Sequence, residues 1–514
     1  MDGSGSGKST TYSIPNAYQM LGSYVFTDPK GELYDRTAGY LKEHGYKIKV
    51  LNLVHPQYSD GYNPLMHISS EIDVDVIANT IVKGQKTDGG SDPFWDDSAE
   101  MLLKSLIYFL MATRPEEEQN LESCAELVRA ANTNGGSNLL TDLISKLPYD
   151  HPARMNYKSI EIAPEKTYSS ILSTLQSKLG KFDSKEIAEL TSTDTINFED
   201  LGNEKTALYV ISSDTHGAYD FLLTIFFSQM IQQLYDFADN NGGKLKVPTY
   251  FILDEFANIG KIPDFDKKIS TSRSRRISFS VILQNLDQLE AIYEKSYETI
   301  IGNCDTHLFL GSNSQKTVEY FSKALGEKTI SHSSRSVSRD KQRHKTGTSD
   351  SDQIMARALM TPDELRRMDN DFCIIFEKGI KPVKAKKLWY YKYPMAKEMQ
   401  ALEISHNDIG EIERGEWRKF NPYNPYVENN NEEKANDLKV ESLDDLFEDD
   451  EEKSEDIKDK NETKIDFQSI DKLVKDETEK EVSNQTDNEK DEFDLQKELE
   501  AKFDELFGPI DGEN

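Results

Sequence analysis

Two short stretches, far apart in the chain, carry residue types that can handle phosphate together. The first is Gly3-Ser4-Gly5-Ser6-Gly7-Lys8-Ser9-Thr10. Closely spaced glycines let successive backbone N–H groups converge on phosphate oxygens, with a helix N-terminus behind them. In such a loop Lys8 reaches the β- and γ-phosphates, and the Ser9 hydroxyl ligates Mg²⁺. A Gly/Ser linker holding one lysine would have the same composition. The second stretch is Tyr250-Phe251-Ile252-Leu253-Asp254-Glu255. Four apolar or aromatic residues without alternation read as a strand covered by helices on both faces. Acids at its carboxyl end stand where open α/β sheets place their ligands. Asp254 would hold Mg²⁺ through water and Glu255 would polarise an attacking water. An exposed strand end is the plainer reading of the acid pair alone; the glycine–lysine loop tips the balance toward a phosphate site.

The loop departs from G-x-x-x-x-G-K-[ST] in two ways. Asp2 stands where the pattern has glycine, and Met1 leaves no room for a strand leading into the loop, so an edge of the sheet is expected to be incomplete.

The elements that would position these residues follow a β-α-β-α-β order. A helix is expected from Lys8 to about Leu21, bent near Pro15. A strand follows over 23–27, then a helix over 34–44 closed by Gly45, and a strand over 47–53. Asp28 and Lys30 lie in the turn after the first strand and suit either the site or an ordinary strand-to-helix turn. From 72 to 190 no strand pattern occurs. Met101, Leu102, Leu106, Phe109 and Leu110 recur at helical spacing, and 121–132, 139–147 and 168–179 also read as helices. Phe94 and Trp95 are expected as core anchors.

Strands resume at 207–211, and a helix buried on most faces is expected over 219–236. A buried strand over 278–283 ends in Gln284-Asn285; the amide suits sensing a γ-phosphate or capping the next helix. Arg273, Arg275 and Arg276 just upstream suit a phosphate across a subunit interface, a DNA backbone, or a solvated helix face. A strand over 306–311 and a helix over 314–325 follow. The Ser/Arg-rich stretch 331–352 has no apolar period and is expected as a mobile loop. Thr361-Pro362-Asp363-Glu364 is a capping box, and 372–376 with 383–391 reads as a closing strand pair.

Charge is unevenly distributed. Residues 428–514 hold 33 acidic and 12 basic residues, so −21 of the net −31 sits there. That tail reads as disordered, with a weak helical spacing at 495–507 that could fold on a partner. The acidic balance therefore does not exclude a nucleic-acid partner for the body. Three scattered cysteines make no disulfide framework, the nine histidines show no metal-ligand spacing, and no apolar run spans a bilayer.

The ordered set of motifs resembles the TraG/TraD family of type IV secretion coupling proteins. It runs through the loop at Gly3–Ser9, Thr27-Asp28-Pro29-Lys30-Gly31-Glu32, Asn63-Pro64-Leu65, Phe94-Trp95-Asp96, Leu253 to Gly260, Ile282-Leu283-Gln284 and Leu359 to Leu365. The resemblance implies an α/β, RecA-like P-loop domain with a mainly parallel sheet, interrupted by an all-α domain. Boundaries then fall at 1–72, 73–195, 196–400, a linker 401–427 and the acidic tail 428–514. It implies ATP and Mg²⁺ as cofactors, held by Gly3, Ser4, Gly5, Ser6, Gly7, Lys8, Ser9, Thr10, Asp28 and Lys30, with Ser9 and Asp254 at the metal. Glu255 would activate water, Gln284 would read the γ-phosphate, and one of Arg273, Arg275 and Arg276 would serve a neighbouring subunit. Hexamers moving single-stranded DNA with bound relaxase into a secretion channel at the cytoplasmic face of the membrane are the implied assembly. Family members usually carry membrane helices ahead of the loop, so a shortened chain or a soluble form recruited by partners is expected. A non-catalytic adaptor docking substrates through its acidic tail is the alternative, and a helicase-type motor a third reading.

Overall fold

The computed structural model describes residues 7–84, 92–131, 138–213, 217–340, 345–410 and 412–423. Five strands form one parallel sheet: β1 (Ser23–Thr27), β2 (Lys47–Asn52), β3 (Thr206–Ile211), β4 (Thr249–Leu253) and β5 (Ile277–Val281), in the order β2-β3-β1-β4-β5. Every residue of β1 and β3 is buried. The strands read as unbroken apolar runs because both faces are covered, yet successive side chains still point to opposite sides. Tyr24 and Phe26 go to one hydrophobic cluster and Val25 to the other.

The cluster holding Tyr24 and Phe26 is covered by α1 (Ile14–Tyr18) and α2 (Glu32–Glu43). The opposite cluster runs from Val25, Leu51 and Leu253 into a helical layer. That layer comprises α3 (Glu71–Lys83), α4 (Pro93–Thr113), α5 (Leu121–Ala130), α6 (Leu139–Ile144), α7 (Pro152–Glu161), α8 (Glu165–Leu179) and α9 (Lys185–Ser192). No strand occurs among the described residues between β2 and β3, as the sequence implies. A short α10 (Asp200–Asn203) precedes β3, and α11 (Asp220–Asn240) buries residues on nearly every face of its first three turns. No described helix is long and apolar enough to cross a membrane.

Several expectations need correction. The helix after Lys8 is shorter and comes in two parts, a π-type turn over Ser9–Ser13 and then α1, because Pro15 has no N–H to donate back. Phe94 is no core anchor: it is 50 % exposed, edge-on to the half-buried Trp95. Within the stretch 331–352, residues 331–340 and 345–352 are strand and no loop. They lie in an antiparallel ribbon, β7 (Glu327–Asp340) with β8 (Lys345–Ala358), in register from Glu327–Ala358 to Asp340–Lys345. The backbone ladder pairs such a ribbon, and a stretch without hydrophobic alternation gives no warning of it.

The strand expected over 306–311 is present as β6 (Thr306–Phe309) but in a separate antiparallel sheet, β10-β9-β6, with β9 (Phe372–Glu377) and β10 (Val383–Lys386). Residues 388–391 are not strand; Tyr390–Lys392 is a 3₁₀ turn. Strand β5 is not fully buried either, because among the described strands it pairs with β4 alone.

Of the expected linker 401–427, residues 401–410 and 412–423 are described, and several of them are fastened to the body. The His406 ring lies 2.8 Å from Asp35, Lys419 Nζ sits 2.5 Å from Glu122, and Phe420 is buried under the Arg114 guanidinium. The acidic tail and its helical spacing at 495–507 lie outside the described residues.

Candidate active site

The parallel sheet brings its strand ends to one edge, and five side chains meet there. β4 ends at Leu253, and Glu255 adopts a left-handed backbone (φ 50°) that turns the chain sharply. Such a conformation is uncommon for a non-glycine residue and holds only where its surroundings fix it. Two contacts do so here. Thr27 Oγ1 at the end of β1 donates to the Asp254 carbonyl at 2.6 Å, and the Glu255 N–H donates to Asp254 Oδ1 at 3.0 Å.

Lys8 fills the space between the acids. Its Nζ lies 2.5 Å from Glu255 Oε1 and 3.5 Å from Asp254 Oδ1. The ammonium is 12 % exposed and therefore more enclosed than a loop lysine need be. Ser9 Oγ donates to Asp254 Oδ2 at 3.3 Å. From the next strand over, Gln284 Nε2 reaches both Glu255 oxygens, at 3.0 and 3.1 Å. The two uses open to the Gln284-Asn285 pair are divided between them. Asn285 caps the next helix by accepting from Gln288 N–H, which frees the Gln284 amide for Glu255.

Burial pushes the Asp254 carboxyl above its ordinary range, and the Lys8 ammonium pulls it back. A nearly buried carboxylate beside one cation and one hydroxyl suits a hard divalent cation. Asp254 and Ser9 supply two oxygen donors, which fits Mg²⁺ that keeps waters and phosphate oxygens as its remaining ligands. Among the described residues no cluster of three or more His, Cys, Asp or Glu could hold a metal by protein ligands alone.

Gly7 shows why the loop needs glycine. Its φ is +87°, and a Cβ there would come within 2.8 Å of the Trp389 ring. Trp389 is thus a neighbour of the loop that no local pattern reveals, brought in by the chain segment after β10. Gly7 O also accepts from Thr10 Oγ1, Thr11 Oγ1 and Thr11 N–H, so Thr10 turns back on the loop. Tyr12 Oη lies 2.7 Å from Ser280 Oγ and pins the following turn onto β5. Gly3, Ser4, Gly5 and Ser6 lie outside the described residues.

Other candidates stand apart from this cluster. Asp28 is 2 % exposed and accepts from Tyr34 N–H at 2.8 Å, inside the first turn of α2, while Lys30 is exposed. Burial raises the Asp28 carboxyl to about 6, against the backbone N–H groups of Tyr34 and Leu33, which lower it. The folded protein therefore holds that proton more tightly than the unfolded chain. Its contribution to stability is complete below the ordinary Asp range near 4 and is lost as pH rises through about 6. Asp28→Asn should remove this slope: equilibrium unfolding from pH 4 to 7 should show the variant gaining on the parent by on the order of 2 kcal/mol. Parallel curves would contradict it.

Arg275 is committed, gripping Asp239 through two 2.8 Å hydrogen bonds and lying 4.7 Å over the Tyr235 ring. Arg273 is almost wholly exposed, 3.6 Å from Asp305. Arg276 has a left-handed backbone and, among the described residues, its side chain reaches the Lys246 carbonyl at 3.5 Å. Of the three, Arg273 and Arg276 have side chains available to a second molecule.

The parallel sheet, its interrupting helical layer and the acid–lysine–glutamine cluster at the strand ends define a RecA-like P-loop architecture. The chain belongs to the family described as type IV secretory system conjugative DNA transfer, whose model matches residues 1–410. It is 26 % identical over 434 residues to the conjugal transfer protein TraG of Escherichia coli, covering 77 % of this chain and 67 % of that protein. Against protein VirD4 of Agrobacterium fabrum it is 23 % identical over 422 residues, covering 77 % and 59 %. The chain thus spans about three-fifths to two-thirds of the length of these curated relatives. In fold it is similar to the plasmid coupling protein TrwB in complex with ADP and Mg²⁺, with a TM-score of 0.54 at 16 % identity over 76 % of this chain and 84 % of that one.

Proposed function

We propose that the chain is the ATP-hydrolysing part of a conjugative coupling protein, using ATP and Mg²⁺ to drive single-stranded DNA with its bound relaxase into a type IV secretion channel. The observation that carries this reading is the ring of contacts from Lys8 to Asp254 and Glu255 and on to Gln284. There Lys8 stands against the acid pair just after β4 and near the amide after β5. TrwB, similar in fold, is described in complex with ADP and Mg²⁺ and with a non-hydrolysable ATP analogue, and membership of the conjugative family supports DNA as cargo.

In this reading Lys8 leaves Glu255 for the β- and γ-phosphates, exchanging one anion for another. Glu255, released from the ammonium, then accepts a proton from the attacking water. Gln284 stays hydrogen-bonded to Glu255 and reports on what occupies the γ position. Asp254 and Ser9 hold the cation, which offsets charge on the phosphates. Glycines 3, 5 and 7, Ser4, Ser6 and Thr10 complete the phosphate loop. Arg273 or Arg276 serves the adjoining subunit of a hexamer seated at the cytoplasmic face of the membrane; Arg275 is held by Asp239.

ATP hydrolysis by the purified chain should rise several-fold on adding single-stranded DNA and fall as salt weakens the phosphate contacts. Hydrolysis absent with and without DNA, while relaxase still binds, would replace the motor by an adaptor.

A further inference from the structure

Trp389 stands at the rim of the phosphate loop with Tyr391 beside it, and the proposed chemistry uses neither. A Cβ on Gly7 would meet the Trp389 ring at 2.8 Å and Thr10 Oγ1 at 3.0 Å, so indole and hydroxyl flank the loop from the same side. The indole N–H donates to Asp371 Oδ1 at 3.1 Å, which fixes the orientation of the ring. The Tyr391 ring lies 5.8 Å from it, tilted by 40°. Trp389 is half-buried and Tyr391 is 51 % exposed, so both keep ring surface open. Tyr390, between them, is buried beside Tyr18 and accepts from Arg36, which fastens the 3₁₀ turn to α1 and α2. One aromatic residue thus anchors the turn, and its two neighbours are left at the loop.

A triphosphate seated on this loop has a direction. Lysine serves the β- and γ-phosphates, and the backbone N–H groups serve the α and β. Glu255 and Gln284 stand with Lys8 at the strand ends and mark the γ end. The α-phosphate, with the nucleoside behind it, then falls toward the turn Ser9–Ser13 that continues the loop. The 3₁₀ turn Tyr390–Lys392 packs against that same turn. The flat apolar rings therefore lie at the end of the ligand where a flat aromatic base arrives, and every base has a face that can stack on them.

We infer that Trp389, with Tyr391 beside it, is the platform on which the base of the bound nucleotide stacks. The inference rests on the proposed ATP site and accounts for the part of the ligand that Lys8, Asp254, Glu255 and Gln284 do not touch. Asp371 holds the indole in place, and Tyr390 holds the turn that carries it.

The test compares Mg·ATP with Mg·tripolyphosphate, which has the phosphates and no base, by titration into the full chain and into Trp389→Leu and Trp389→Phe. Leucine should weaken ATP binding roughly tenfold, within the range of one lost base–aromatic stack, and leave tripolyphosphate within about twofold. Phenylalanine should restore most of the ATP affinity. Equal losses for the two ligands overturn the inference and assign Trp389 to shaping the loop at Gly7; an unchanged ATP affinity overturns it by placing the base elsewhere. Fluorescence gives a reading that leaves position 389 intact. The chain has three tryptophans, Trp95, Trp389 and Trp417, so Trp95→Phe with Trp417→Phe leaves Trp389 as the sole emitter. Mg·ATP should quench it and Mg·tripolyphosphate should not; the same change with both, or none with ATP, overturns the inference. A parent chain that binds neither ligand overturns the ATP site and the platform together, whereas one that binds both with no part for Trp389 overturns the platform alone.

Discussion

Glu255→Gln is expected to leave Mg·ATP affinity within about threefold of the parent while lowering kcat roughly a thousandfold, within the usual range for removing a general base. The geometry separates the two effects. Glu255 holds Lys8 at 2.5 Å and accepts from Gln284. Glutamine is close in shape and can still accept from Gln284 through its carbonyl, but it cannot take a proton from water. It also releases Lys8 from its closest anion, which favours the lysine's move to phosphate. Affinity therefore holds or rises slightly as turnover collapses. Single-turnover hydrolysis set beside equilibrium binding measures both, and a parallel loss of affinity and turnover would contradict the role given to Glu255.

Lys8→Ala is expected to act in the opposite sense, weakening Mg·ATP binding by roughly a hundredfold, the equivalent of about 2.7 kcal/mol. A lysine free in solvent would be removed with little effect on folding, but Lys8 is enclosed between two carboxylates. Its loss leaves Asp254 and Glu255 as adjacent anions, and Asp254 is already pushed upward by burial. Breaking a fully buried pair costs about 3–5 kcal/mol; with Glu255 18 % exposed, solvent screening brings the expected loss nearer 1–2 kcal/mol. At nucleotide about a hundred times the parent's Kd, stabilisation by Mg·ATP should fall from about 2.7 kcal/mol in the parent to about 0.4 kcal/mol in the variant, because ligand stabilisation follows affinity. A variant that keeps the parent's thermal shift with nucleotide would contradict this. Urea unfolding without ligand measures the structural part independently.

Much of this site was legible because its signals are local. An apolar run closed by two acids marks β4, and glycine spacing before Lys8 marks the loop. That the two meet follows from the rule that strand ends gather on one edge of a parallel sheet. What escaped the sequence depends on distant contacts. Asp28 carries the same side chain as Asp254 and also follows a buried strand, yet it turns inward to the start of α2. Only the packing of α2 distinguishes them. Trp389 reaches Gly7 through the path of the chain after β10, which no periodicity encodes. The β7–β8 ribbon was missed for a different reason: its strands are matched through the backbone, and the side-chain pattern is silent about backbone pairing. The bond between Arg275 and Asp239 likewise joins residues on different elements, so three neighbouring arginines that look equivalent in sequence are not.

The exposed half of β5 connects these points. Sequence predicts a buried strand there from its apolar content, and the structure leaves its outer edge facing a cleft. Apolar composition reports what a strand is suited to bury, and pairing decides whether it does.

The central claim, that Lys8, Asp254, Glu255 and Gln284 form a nucleotide site, is tested most directly by titrating Mg·ATP into the unmodified chain and following the heat of binding. The account predicts saturable binding of one nucleotide per chain, weakened when Mg²⁺ is chelated, because Asp254 and Ser9 then lose the cation that links them to phosphate. Absence of saturable binding at millimolar nucleotide, or binding indifferent to Mg²⁺, would contradict it.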